Sequence, residues 1–236
     1  MVSGTPTPAP SASKNTFGPI LACLFVIAVL LLLGVAVSSG RSQPLDDAML
    51  RAFRNLNYPL HLKGTPLLTE GFLELSTIGS SFILLLICLL SATYLFLCRR
   101  FWEASLIVLV LPLANSLMRA PKHFYSRARP SVVEHLQYAG GSSYPSGHAM
   151  LATAVYLTIA LLLSGHVKRR SLKVFLIGIA LVLSTLVGIS RVYLGVHYPT
   201  DVLAGWMFGS LFAWIYWRAT LWLHARLTAS SAPNTF

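Results

Sequence analysis

Residues 190 to 201 read Ser190-Arg191-Val-Tyr-Leu-Gly-Val-His197-Tyr-Pro-Thr-Asp201. An aspartate four residues after a histidine can accept a hydrogen bond from one ring nitrogen. That bond fixes the tautomer and stabilises the ring as it becomes positive, which leaves the other nitrogen free to attack phosphorus. Upstream, Tyr144-Pro145-Ser146-Gly147-His148 stands directly before an apolar stretch. A helix starting there presents unpaired N–H groups and partial positive charge, a place for phosphate. Ser146 adds a hydroxyl, Gly147 lets the backbone approach a ligand, and His148 is placed to give a proton to a leaving oxygen. Earlier still, Lys122 and Arg129-Pro130 supply a point charge and a planar fork for phosphate oxygens. Singly, each cluster has a plain alternative: a helix-capping Asp beside an interfacial His, a simple helix cap with a satisfied histidine, and a basic loop among lipid headgroups.

Taken together they describe phosphoryl chemistry without a metal. Of seven acidic residues in the chain, only Asp201 falls in these clusters and only Glu134 between the first two. A two-metal phosphatase site needs several carboxylates. Lys122, Arg129 and Arg191 would instead neutralise the developing charge. No metal and no cofactor is expected.

The elements that must position these residues belong in a bilayer. The 236 residues are 55% hydrophobic and 11% charged, with a mean hydropathy of +0.68. A soluble domain carries roughly 25% charged residues. Six apolar segments can be drawn, at 18–37, 72–97, 102–118, 148–165, 172–189 and 202–223. The expected fold is therefore all-α, a six-helix transmembrane bundle formed by 17–225. Residues 1–16, rich in Pro, Ser, Thr and Ala, read as a disordered tail, and 226–236 as a second tail. The run at 18–37 is too long for a signal-peptide core and is read as an uncleaved span.

An even number of spans puts both termini on one side. Lys and Arg total nine on each side, so the raw count ties. The tight connections Cys98-Arg99-Arg100 and Lys168-Arg169-Arg170 through Lys173 hold dense positive charge without an acid, the pattern of cytoplasmic loops. Both termini are thus placed inside, and all three clusters fall together on the extracytoplasmic face. The formal charge of +11 lies in those loops and clusters, and no basic-aromatic array indicates nucleic acid.

Other features receive lesser roles. Leu45, Met49, Phe53 and Leu56 recur at helical spacing opposite Asp47, Arg51 and Arg54, suiting a short surface helix, either a connector or a lid. The stretch 131–144, with Glu134, His135, Gln137 and Tyr138, is a candidate for headgroup specificity. His123 and Arg127, inside the first cluster, are assigned to solvent or headgroups. Gly205 and Gly209 form a GxxxG, a common and weak packing signal. Cys23, Cys88 and Cys98 show no paired spacing. His61, His166 and His224 have no partner pattern.

The three clusters resemble the tripartite signature of the type 2 phosphatidic acid phosphatase superfamily, K-x6-R-P, P-S-G-H and S-R-x5-H-x3-D, intact at 122–130, 145–148 and 190–201. The resemblance implies that His197 becomes a phosphohistidine, which water then hydrolyses. Asp201 would orient His197, and His148 would act first as acid and then as base. Lys122, Arg129, Arg191, Ser146 and the Gly147 backbone would hold phosphoryl oxygens. The usual substrates are undecaprenyl diphosphate, placed first here, phosphatidylglycerol phosphate, phosphatidic acid and lipid A phosphate. Transfer to another lipid would use the same residues. A non-catalytic lipid-phosphate binder would be expected to lack His197 or Asp201, and the vanadate haloperoxidases of the superfamily are soluble. The expected partners are a membrane lipid phosphate and the bilayer, with no obligate protein partner.

Overall fold

The computed structural model describes residues 17–54 and 66–230. Among these residues there are eight helices and no strand: α1 (Phe17–Ser38), α2 (Gln43–Phe53), α3 (Pro66–Thr77), α4 (Ser81–Leu97), α5 (Phe101–Tyr125), α6 (Gly147–Ser164), α7 (Arg170–Tyr193) and α8 (Pro199–Ser230). The all-α expectation holds. Four helices, α1, α5, α6 and α7, are long and apolar enough to cross a membrane, or five spans if the bent pair α3 and α4 counts as one. The remaining expected span, 202–223, lies within α8. Its 32 residues intersperse Trp, Tyr, Gly and Arg among the aliphatics, and the helix continues past 225.

The bundle is organised around α6, which contacts α4, α5, α7 and α8. Its apolar window is 78% buried, against 17% for α1, so α6 is the central helix and α1 the peripheral one. Small residues permit this: Ala149, Ala152, Ala154 and Ala160 are buried and let neighbouring helices approach. The opposite signature marks the perimeter, where Phe25, Leu32, Phe82 and Leu97 are exposed. So many exposed apolar side chains suit a lipid solvent, not water.

Three boundaries depart from the sequence reading. The segment 72–97 is not one straight helix: it breaks between Thr77 and Ser81 with a bend of 52°. Ser80 stops and restarts the chain there, its hydroxyl accepting from the Ile83 N–H at 3.3 Å. Gly79 sits directly on Val187 of α7, where a Cβ would collide. The segment 102–118 does not end where its apolar run ends. α5 carries on through Pro121 to Tyr125 and closes on Ser126 in the left-handed conformation, φ 41°. Lys122 is therefore a helix residue in the last turn of α5, not a loop residue. Arg191 likewise occupies the last turn of α7 and not the connection after it.

The expected short amphipathic helix forms as α2, packed on the bundle through residues outside the apolar set read from the sequence. Leu45, Met49 and Phe53 are exposed, while Asp46 and Leu50 are fully buried. Leu56 lies outside the described residues, as does His61.

The GxxxG pair has a definite job. A Cβ on Gly205 would lie 2.8 Å from the Ser146 carbonyl oxygen, and one on Gly209 would lie 2.6 Å from that of Met150. These glycines seat α8 against the first turns of α6, and so set Asp201 relative to Ser146 and His148.

Candidate active site

The ends of four helices converge: the C-termini of α5 and α7, and the N-termini of α6 and α8. His197 sits in the short turn joining α7 to α8. Gly195 makes that turn possible with φ +72°, pressed so closely by Arg54, the Glu134 carbonyl and Val133 that a Cβ would meet all three at 2.9 Å.

The His197 ring is only 2% exposed, and its two nitrogens face different chemistry. Nε2 lies 3.3 Å from Arg129 Nη1. Nδ1 lies 3.4 Å from Ser143 Oγ and 3.5 Å from Asp201 Oδ2. Burial pushes the imidazole down to about 4 from its ordinary value near 6.5, with Asp201 opposing and the Arg129 and Arg191 charges adding to the fall. The ring is thus neutral at neutral pH, the form in which one nitrogen carries a nucleophilic lone pair.

Asp201, in the first turn of α8 and fully buried, is saturated by donors. Oδ1 accepts from Arg127 Nη1 at 2.6 Å; Oδ2 accepts from the Tyr198 N–H at 2.9 Å and in a very short bond from the Ser143 hydroxyl. Such a set suits a carboxylate and not a carboxylic acid. Its backbone carbonyl also accepts from the Ser146 N–H at 2.9 Å, which ties the second cluster to the third.

Among the anion-binding candidates, Arg129 stands on the Nε2 side. Arg129 donates to the carbonyls of Val196 (2.8 Å), Gly140 (2.7 Å) and Gly141 (3.2 Å), which pin its guanidinium beside His197. Lys122 donates to the Ser142 carbonyl at 2.8 Å, and a Cβ on Gly147 would lie 3.7 Å from Lys122 Cε. Arg191 is buried and is held by Ser76 Oγ and Gln137 Oε1, while its Nε has no partner among the described residues. The Ser146 hydroxyl is also buried and without a partner there. Ser146 is the N-cap of α6, Gly147 its first residue and His148 its second. The electrostatic neighbours of half-buried His148 are Arg191, His197, Arg129 and Lys122. All eight residues singled out in the sequence therefore gather at one place.

Other assignments need correction. Arg127 does not face solvent or headgroups: its side chain is 8% exposed and bridges Asp201 to Asp46, at 2.6 and 2.7 Å, while lying 4.1 Å over the Tyr198 ring. Two buried carboxylates draw it inward. Asp46 itself was overlooked, as was Ser143. The one signal was compositional: in so apolar a chain an acid is costly unless paired, and Asp46 sits one helical turn from Leu50 on the same face. From the stretch 131–144, Gln137 reaches the cradle. Tyr138 is 95% exposed, and His135 folds back on the Pro130 carbonyl at 2.7 Å. His123 is exposed, as expected. His166 has partners after all, Arg100 at 2.6 Å and Glu103 at 3.4 Å, at the α4–α5 connection.

A buried histidine with cationic side chains gathered about it, on a helical membrane bundle, defines a class, and comparison with known proteins places the chain within it. The chain belongs to the PAP2 superfamily, whose family model matches residues 102–225. It is a multi-pass membrane protein of the lipid-phosphatase type. Phosphatidylglycerophosphatase B of Bacillus subtilis (strain 168) is 35% identical over 77% of this chain and 86% of its own length. An undecaprenyl-diphosphatase of Sulfolobus acidocaldarius is 41% identical over a shorter stretch, 29% of each chain. Among solved structures, the transmembrane PAP2-type phosphatidylglycerolphosphate phosphatase from Bacillus subtilis superposes with a TM-score of 0.74 at 30% identity, covering 91% of this chain and 98% of that one.

Proposed function

We propose that the protein hydrolyses the terminal phosphate of a lipid-linked phosphate or diphosphate at the extracytoplasmic surface, through a phosphohistidine on His197 and without metal. The observation that carries this reading is the split environment of His197, with Nε2 toward a cation and Nδ1 toward a carboxylate. In the first step Nε2 attacks phosphorus and forms a P–N bond as the P–O bond to the lipid breaks. His148 gives its proton to the departing lipid oxygen. Asp201 and Ser143 face the Nδ1–H and stabilise the ring as it turns positive. In the second step His148 takes a proton from water, whose oxygen attacks phosphorus; the P–N bond breaks, inorganic phosphate leaves and His197 returns neutral. Arg129, Lys122 and Arg191, the Ser146 hydroxyl and the Gly147 N–H carry the phosphoryl oxygens through both steps. The unpartnered Ser146 hydroxyl and Arg191 Nε are donors that a phosphoryl group would satisfy.

Six spans with both termini cytoplasmic remain our reading of the topology. Arg100, at the α4–α5 connection, meets His166, at the α6–α7 connection, so the two basic loops share one end of the bundle. The site lies at the other ends of α5, α6 and α7. Positive charge favours the cytoplasmic side for the loops and hence the outer face for the site.

As substrate, the sequence put undecaprenyl diphosphate first. Likeness along most of the chain to an enzyme named for phosphatidylglycerophosphate brings that lipid to the front, with undecaprenyl diphosphate next. The test is phosphate release from both lipids, phosphatidic acid and lipid A phosphate by purified protein in detergent with excess EDTA. The reading expects release from at least one lipid, lost in His197→Ala. Release that stops in EDTA and returns with magnesium, or that survives His197→Ala, would contradict it.

A further inference from the structure

Resting on the phosphohistidine reading, we infer that Asp46, on the surface helix α2, is a positioning residue that acts on His197 through Arg127 and Asp201. Asp46 is fully buried although α2 is otherwise amphipathic and short. A buried carboxylate is costly unless its oxygens are occupied, and these are. Oδ2 accepts from Arg127 Nη2 at 2.7 Å and from the Thr200 hydroxyl at 2.7 Å; Oδ1 accepts from the Thr200 N–H at 3.1 Å. The last bond satisfies an orphan donor in the first turn of α8, the same turn that holds Asp201. One side chain at the start of α2 thereby fixes the start of α8.

The guanidinium is a rigid planar fork, so its two nitrogens move together. Asp46 holds Nη2 while Nη1 holds Asp201 Oδ1, and Gln43 Oε1 adds a contact to Nη2 at 3.2 Å. The orientation of the Asp201 carboxylate, and so the oxygen that faces His197 Nδ1, follows from where α2 docks. Charge points the same way. Two carboxylates around one guanidinium leave one net negative charge beside the imidazole. Forming the phosphohistidine with its Nδ1–H retained puts positive charge on that ring, and the surplus negative charge stabilises it. Without Asp46 the remaining pair would be neutral, and Arg127 would cancel Asp201 at the moment its charge is needed. Asp46 contributes to the chemical step and not to phosphate binding, because it lies on the Nδ1 side, away from Arg129.

The experiment compares Asp46→Asn with Asp47→Asn, the same charge change one residue on, in detergent-purified full-length protein, using phosphatidylglycerol phosphate and undecaprenyl diphosphate. For Asp46→Asn, kcat should fall at least ten-fold with KM within two-fold, and the rate of phosphoenzyme formation should fall by the same factor. Asp47→Asn should stay within two-fold on both. Asp46→Asn with kcat unchanged, or with KM raised and kcat kept, overturns the inference. If Asp46→Asn does not remain folded, Arg127→Lys, which keeps the charge but loses the fork, takes its place with the same expected fall in kcat and the same overturning result. Failure of the phosphohistidine reading is distinguishable: wild-type protein would then hydrolyse lipid with no trapped phosphoenzyme, whatever Asp46→Asn does.

Discussion

At the scale of residues, burial keeps His197 neutral, and Asp201 and Ser143 face the nitrogen where a positive charge on its ring would be stabilised. His197 is buried and pushed down to about 4, so the folded protein binds fewer protons there than the unfolded chain does between that value and 6.5. A group depressed in this way contributes stability that is present above the unfolded value and is lost as pH falls through the folded one. Between pH 7 and pH 5 the expected loss is about 2 kcal/mol. Thermal unfolding in detergent should show it as a drop in Tm, and His197→Gln should show a shallower drop; equal slopes would remove His197 as the source. Ser143, hydrogen-bonded to Asp201 and 3.4 Å from His197 Nδ1, should matter less than either. Ser143→Ala is expected to lower kcat roughly ten-fold, the loss of one hydrogen bond to a charged group. The eight residues named from the sequence were legible because each belongs to a compact pattern whose chemistry is local. Asp46, Ser143 and Arg127 were not, because their roles depend on partners 58 to 154 residues distant or on a neighbour's charge, such as the contacts of Asp46 with Thr200 and of Ser143 with Asp201.

At the scale of elements, helix ends do the positioning, and apolar runs alone mislocate them. Lys122 and Arg191 are polar, so a hydropathy reading ends the helix before them; in the folded chain each rides the last turn of its helix, which fixes the side chain more firmly than a loop could. The bend between α3 and α4 has a signal of its own, the run Ser76-Thr77-Ile78-Gly79-Ser80-Ser81 that interrupts the apolar segment, which an averaged hydropathy reading passes over while Gly79 and Ser80 turn the backbone. The packing of α8 on α6 through Gly205 and Gly209 gives a direct prediction. Gly209→Val must push α8 off the Met150 carbonyl, and overpacking of this kind costs about 1–3 kcal/mol. Both Tm and kcat should fall, since the same interface sets Asp201 against Ser146. Gly178, with nothing within 4 Å of its would-be Cβ, serves as the control, and Gly178→Ala should change neither.

At the scale of the whole molecule, a bundle with its most buried helix at the centre brings four helix ends to one place. Composition made the all-α membrane class legible at once. The count of spans was less so, because α8 mixes aromatics and glycines with its aliphatics and α3 and α4 meet at a 52° bend. On the proposed orientation, a reporter fused after Phe236 should be active only on the cytoplasmic side. The proposed reaction turns on one covalent bond, between phosphorus and a His197 nitrogen. Purified protein offered a lipid labelled in its terminal phosphate, quenched in alkaline detergent to preserve an acid-labile phosphoramidate and digested for mass spectrometry, should carry the label on the peptide containing His197 and nowhere in His197→Ala. Label on any other residue, or label retained in His197→Ala, would contradict it.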